Sequence, residues 1–281
     1  MCSPKRSLPL AILLLCSCQP AVPLAKRLAS PAAIPTPIQG RDTVAPDEST
    51  PPGETTAAAP ALSRKTIRGI EFEGVAFDSR THRLLVVDQA AGPGSEFTSA
   101  ADAAQRHNAL LAINAGFFTP EGKPLGLLVS NGRAAGAWNS SSSLGNGVFR
   151  ETRNGSLSIS RRNLRPVTSD YLELLQAGPL LLENGKSIGG LEASKSALRS
   201  IVLTDGGRRW WIGRTSSCTL AELGSALATA SPAAWGIRNA LNLDGGRSTD
   251  LFISASIPGG PVNRRGMLNR PVRNFLILKA R

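Results

Sequence analysis

The sequence predicts an α+β fold: mixed β-sheets with a few helices packed on them, in a single globular domain. Three observations carry this. Short apolar and β-branched runs recur between Gly-rich turns, two capping signals open helices, and strands and helices do not alternate in the regular way that builds a doubly wound sheet. No internal repeat of fixed period is present.

The elements are justified in chain order. Lys5-Arg6 precede an apolar run from Leu8 to Leu15, far shorter than the roughly 20 residues a membrane-crossing helix needs, so residues 1–18 read as a secretory signal. Leu15-Cys16-Ser17-Cys18 resembles a bacterial lipobox, with Cys18 as the lipidation site; an ordinary cleaved signal is the alternative. Gln19 is not a retention signal, so an exported, lipid-anchored bacterial envelope protein is expected, with the outer membrane favoured. Nine of the chain's 20 prolines lie between Pro20 and Pro60 among Ala, Ser and Thr, which makes 19–65 a disordered tether. The folded domain is expected over 66–281, with order beginning near Thr66.

Ile67 to Phe77 and Arg83 to Val87, joined by Asp78-Ser79-Arg80-Thr81, read as a hairpin. Ser99 with Asp102 opens a short helix, Ala100 to His107, leading into a buried strand, Ala109 to Ile113. Thr219 with Glu222 opens a second helix through Ala228, with Leu220, Leu223 and Leu227 on one face.

Composition excludes several chemistries. Two His residues rule out His-rich metal sites, and four Cys rule out a disulfide scaffold or a four-cysteine zinc module. If Cys18 carries lipid, Cys218 is left without an intramolecular disulfide partner. The formal net charge of +12 fits an anionic partner such as a phosphate-bearing glycan. No Gly-x-Ser-x-Gly elbow or GxxxxGK[ST] phosphate loop occurs. Nucleic acid is a poor partner for an exported protein without a dense basic tract.

Two stretches carry chemistry: Ile113 to Phe118, and Ala240 to Thr249. In the second, Leu241 and Leu243 alternate with Asn242 and Asp244 before Gly245-Gly246 breaks the strand. Asp244 thus ends a strand where glycines expose backbone N–H groups and Ser248 and Thr249 add hydroxyls, a cradle suited to a sugar phosphate. Taken alone, Asp-Gly-Gly is also an ordinary β-turn.

The order of motifs resembles the phosphodiester glycosidase family over about residues 66–281. The motifs are Asn114 to Phe118, Pro124 to Leu127 with Asn131-Gly132, Gly145 to Phe149, Gln176 to Leu181 with Asn184-Gly185, and Arg199 to Val202. The Thr219 helix, Leu243 to Thr249 and Arg270-Pro271-Val272 complete the series. The resemblance implies hydrolysis of a glycosyl phosphodiester between the anomeric carbon and the phosphate oxygen. Ordinary glycosidases use two carboxylates because an alkoxide leaving group needs a proton, whereas a phosphate is far less basic and one carboxylate with cations suffices.

On that reading Asp244 attacks the anomeric carbon, activates water, or stabilises positive charge on the sugar ring. Arg199 clamps phosphate through paired donors. Asn114 and Asn146 orient hydroxyls or phosphate through their amides. Gly116, Gly178, Gly245, Gly246, Ser248 and Thr249 line the substrate, with Arg270 on the C-terminal side. Arg247 stands where many relatives have a small residue, adding an anion contact or narrowing the substrate range. No metal ligands or cofactor are indicated, although a divalent cation is compatible with the chemistry. The alternative function is a non-catalytic phosphoglycan-binding accessory in exopolysaccharide metabolism. The sequence does not indicate an oligomeric state. Asp205 reads as a hairpin turn, Trp138 as either a sugar platform or a packed loop residue, His82 and His107 as solvated turn or helix-end residues, and Cys218 as a buried structural thiol.

Overall fold

The computed structural model describes residues 57–281. The signal segment, Cys18 and most of the expected tether lie outside the described residues. The first strand starts at Ala61, inside the segment expected to be tether and five residues before Thr66.

The strands form three antiparallel sheets. Their first part runs β1 (Ala61–Ile67), β2 (Ile70–Asp78), β3 (His82–Asp88), helix α1 (Ala100–His107), β4 (Leu111–Asn114), β5 (Leu128–Ser130) and β6 (Arg133–Ala135). Next come β7 (Gly147–Thr152), β8 (Leu157–Arg161), β9 (Tyr171–Ala177), β10 (Leu180–Glu183), β11 (Lys186–Ser187), β12 (Ala197–Thr204) and β13 (Arg209–Cys218). Helix α2 (Leu220–Thr229), β14 (Asn239–Asn242), β15 (Asp250–Ile253), β16 (Val262–Arg265) and β17 (Asn274–Ala280) complete the chain. The seven-stranded sheet has the order β1-β2-β13-β12-β14-β10-β11, and the two five-stranded sheets are β16-β15-β4-β17-β3 and β6-β5-β9-β7-β8.

Strand alternation explains the layers. Val202 of β12 and Leu276 of β17 point into a core shared by all three sheets, while their neighbours Ile201 and Phe275 face outward. Those outer faces are apolar too and need covers. Helix α2 covers the first with Leu223 and Leu227, and α1 covers the second with Ala100, Ala103 and Ala104. Both capping signals are realised. The Ser99 hydroxyl accepts from Asp102 N–H, and Thr219 and Glu222 form a reciprocal capping box.

The expected hairpin from Ile67 to Val87 is not formed. Strand β2 pairs with β1 and β13, whereas β3 pairs with β17 in another sheet. Both strands bury apolar side chains on their two faces, Phe72 and Val75 in β2, Val86 and Val87 in β3, so each takes a place inside a different sheet. The hairpin that does form joins β1 to β2 through Arg68 and Gly69, both left-handed with φ 51° and 80°.

A buried ionic cluster stitches the second sheet to the third. Glu151 and Glu173, cross-strand partners on β7 and β9, are both buried. Arg83 Nη2 and Arg281 Nη2 hold Glu151 at 2.9 and 3.1 Å, and Glu173 accepts from Val86 N–H at 2.9 Å. Burial raises the Glu173 carboxyl to about 7, against the opposing N–H groups of Val86 and Asn131, and raises Glu151 as well. Replacing Arg83 by Ala should therefore destabilise the fold by about 3 kcal/mol at pH 8 in urea unfolding. The loss should shrink towards pH 5. Both carboxyls bind protons more readily folded than unfolded, and protonation removes the uncompensated charge.

Candidate active site

Strand β14 lies between β12 and β10, and the chain leaves its end as Leu243-Asp244-Gly245-Gly246. Leu243 N–H donates to the Ser200 carbonyl and Asp244 N–H to the Ala115 carbonyl, both at 2.8 Å, so this exit bridges the first and second sheets. Glycine is required twice. A Cβ on Gly245 would stand 2.7 Å from the Leu198 carbonyl oxygen, and Gly246 is left-handed at φ 60°. The half-buried Asp244 carboxylate accepts Gly245 N–H at 2.8 Å and the Ser248 hydroxyl. Burial pushes it up to about 6 despite those two bonds.

Asn114 sits beneath this turn, fully buried. Its amide donates to the Asp244 carbonyl at 2.7 Å, and its Oδ1 accepts the Ser200 hydroxyl at 2.6 Å and Asp250 N–H at 3.1 Å. Expected to orient substrate through its amide, Asn114 is instead enclosed in this structure, with both ends of the carboxamide engaged by the protein. Gly116 is also buried, with its N–H on Asn274 Oδ1 at 2.6 Å.

On the other side, Asn242 Nδ2 donates to the Gly178 and Leu243 carbonyls at 2.8 and 2.7 Å. Asn146 Oδ1 accepts Leu180 N–H at 2.6 Å, which fixes the start of β10. Gly178 lies so close to the Ser143 carbonyl that a Cβ would fall within 2.1 Å of it. Asn146 and Gly178 are thus brought to the same end of the sheet as Asp244, linked through Asn242.

The cations occupy different places. Arg199 runs along the Asp-Gly-Gly turn, its Cδ 3.8 Å from the position of a Gly245 Cβ. Its Nε donates to the Cys218 carbonyl at 3.0 Å and its Nη2 to the Lys195 carbonyl at 2.6 Å, so the expected two-donor clamp is engaged by backbone. Arg247 is exposed and donates from Nε to the Leu268 carbonyl at 3.2 Å, while Arg270 N–H donates to the Arg247 carbonyl at 3.2 Å. Thr249 is buried and accepts at its carbonyl from the Asn269 amide.

Sequence reasoning missed Ser200, Asp250 and Asn274. Asp250 Oδ2 accepts the first N–H of α1 at 3.0 Å and pairs with Arg265. Among the described residues, Asn242 Oδ1, Thr249 Oγ1, Asp250 Oδ1 and Asn274 Nδ2 are buried without a hydrogen-bond partner, and all four belong to elements that meet at the Asp244 turn. The others lie on Arg83, Arg150, Glu151 and Arg214, and each such atom calls for a water, an ion or a functional role. The available signal was a polar residue in a strand of otherwise apolar neighbours, as at Asn274 before Phe275 to Leu278.

Elsewhere, Asp205 caps the β12–β13 hairpin by accepting Gly207 N–H at 2.8 Å. Trp138 packs against the Leu127 and Val148 cluster, and the Cys218 thiol is buried against Thr215. Among the described residues no group of three or more His, Cys, Asp or Glu side chains is placed to hold a metal ion.

The architecture defines a class: an α+β domain in which polar turns from separate sheets close around one aspartate. The chain belongs to the phosphodiester glycosidase family, whose model matches residues 107–279 and so spans the motifs from Asn114 to Arg270. No curated protein matches by sequence. Among solved structures, the fold is similar to the catalytic domain of zebrafish N-acetylglucosamine-1-phosphodiester alpha-N-acetylglucosaminidase auto-inhibited by its pro-peptide. That match has 17% identity, 82% of this chain and 85% of that chain covered, and a TM-score of 0.53. A hypothetical protein from Synechocystis matches with 18% identity, 78% and 61% coverage and a TM-score of 0.51. A Burkholderia pseudomallei protein described as exported matches with 13% identity, 74% coverage of each chain and a TM-score of 0.50.

The raised Asp244 carboxyl has a stability consequence of definite sign. Between 3.8 and about 6 the folded chain binds more protons than the unfolded one, so stability falls as pH rises through that window. Asp244→Asn should match the parent near pH 4 and be more stable at pH 8, by about 1–3 kcal/mol, in thermal melts at the two pH values. Asn114→Ala strands Ser200, Asp250 N–H and the Asp244 carbonyl together, and should cost about 2–4 kcal/mol in urea unfolding at any pH from 4 to 8.

Proposed function

We propose that this chain is an exported hydrolase that releases a sugar from a glycosyl phosphodiester by cleaving the bond between the anomeric carbon and the phosphate oxygen. The observation that carries this is Asp244: a half-buried carboxylate on a glycine turn, raised to about 6 and therefore ionised at neutral pH. Membership of the phosphodiester glycosidase family supports the bond chosen.

The chemistry follows from the leaving group. A phosphate monoester departs as a weakly basic anion, so the carboxylate need not supply a proton. It acts in its ionised form at the anomeric carbon as positive charge develops there. The glycines of the turn let backbone approach the phosphate closely. Arg199 contributes charge beside Gly245, and Arg247 and Arg270 contribute it at the rim. Envelope or extracellular phosphoglycans are the substrate class that matches an exported basic domain.

Incubation with a glycosyl phosphodiester in ¹⁸O-labelled water tests the reading, with the label expected in the released sugar and none in the phosphate. The Asp244→Asn variant should lose at least about a thousandfold in kcat while still binding the diester. For the parent, kcat/KM should rise with pH through about 6 as Asp244 ionises. Binding of the diester by the parent chain without turnover would instead identify a phosphoglycan-binding module.

A further inference from the structure

Arg247 holds a second feature in place. The loop after β16 runs Gly266-Met267-Leu268-Asn269-Arg270 and turns through Asn269 N–H on the Gly266 carbonyl. Its tip presents Met267, fully exposed, and Leu268, 76% exposed. Three bonds tie it to the Asp244 turn: Arg247 to the Leu268 carbonyl, the Asn269 amide to the Thr249 carbonyl, and Arg270 N–H to the Arg247 carbonyl. The tip is therefore a fixed projection of the candidate active site.

Its electrostatics are one-sided. No Asp or Glu follows Asp250, while Arg264, Arg265, Arg270, Arg273, Lys279 and Arg281 do. Arg264, Arg265 and Arg273 are paired with Glu73, Asp250 and Asp88. Arg247 and Arg270 are exposed and, among the described residues, stand in no ion pair.

We propose that this loop docks on an anionic lipid surface, with Met267 and Leu268 entering the boundary between headgroups and acyl chains and Arg247 and Arg270 meeting the headgroup phosphates. Two adjacent apolar side chains flanked by unpaired cations on a projecting tip match the chemistry of a membrane interface. They make far too small a patch for a specific protein–protein interface, which needs about 1,000 Å². Docking there would set the Asp244 turn at the membrane surface, within reach of diesters carried by lipids. The proposal concerns binding and stands whether or not the chain turns over a diester.

Hydrogen–deuterium exchange on the full chain reads the loop separately from any N-terminal anchor. With vesicles of phosphatidylglycerol and phosphatidylethanolamine, amides of residues 266–270 should exchange at least fivefold more slowly than without vesicles. With phosphatidylcholine vesicles they should be unchanged. Met267→Ser/Leu268→Ser should abolish the protection, and Arg247→Ala/Arg270→Ala should weaken it and remove its salt dependence. Equal exchange with and without anionic vesicles would overturn the proposal. So would protection that grows with protein concentration in the absence of lipid, which would mark contact between copies of the chain.

Discussion

The candidate site depends on one carboxamide. Asn114 ends the central strand of the second sheet, and its side chain reaches the hydroxyl of Ser200 on β12, the backbone of Asp250 on β15 and the carbonyl of Asp244. Only a group with both a donor and an acceptor meets those demands in a space closed to water. An Asp in its place would bring a second buried charge and no donor for the Asp244 carbonyl. The adjacent backbone bond from Asp244 N–H to Ala115 makes the attachment two-point, which fixes the direction in which the turn leaves β14.

Burial of carboxylates serves two ends in this molecule. Glu173 and Asp244 are both raised, to about 7 and about 6, and in both burial is the largest cause. A raised value therefore does not by itself mark chemistry. Glu173 is fully enclosed, faces N–H groups of Val86 and Asn131, and lies beside Glu151 and its arginines, so it joins sheets. Asp244 keeps partial exposure, and a Cβ on Gly246 would meet only the Ala197 Cβ, at 4.0 Å. Its surroundings also hold the unpartnered polar atoms of Asn242, Thr249, Asp250 and Asn274. The Glu151 and Arg83 cluster beside Glu173 holds such atoms too, so it is access that separates the two carboxylates.

What was legible in the sequence was local. The capping signals at Ser99 and Thr219, the Asp205 hairpin turn and the strand-to-turn transition at Asp244 are set by neighbours within a few residues, and all appear in the fold. Pairing partners are not local. Ile67 to Phe77 and Arg83 to Val87 look like a hairpin because the turn between them is short, yet both carry apolar residues on two faces and enter different sheets. The same limit applied to side chains. Asn114 was identifiable as important from its motif, but its burial was not, because Ser200 lies 86 residues away. Arg199 lies beside the turn, and the carbonyls of Lys195 and Cys218 that engage its guanidinium come from the ends of neighbouring elements.

Arg247 shows how one turn residue orders a separate loop. Here the guanidinium spans to the Leu268 carbonyl and the Arg247 carbonyl takes Arg270 N–H, so turn and loop hold each other by two bonds in opposite directions. A projecting loop with two exposed apolar residues is normally costly, since its backbone must be ordered without burial to compensate. The Arg247 and Asn269 bonds offset part of that cost by tying it to a turn that Asn114 already fixes. The order of dependence therefore runs outward from a buried amide, through the glycine turn that carries the carboxylate, to a surface feature whose chemistry differs from that of the site beneath it.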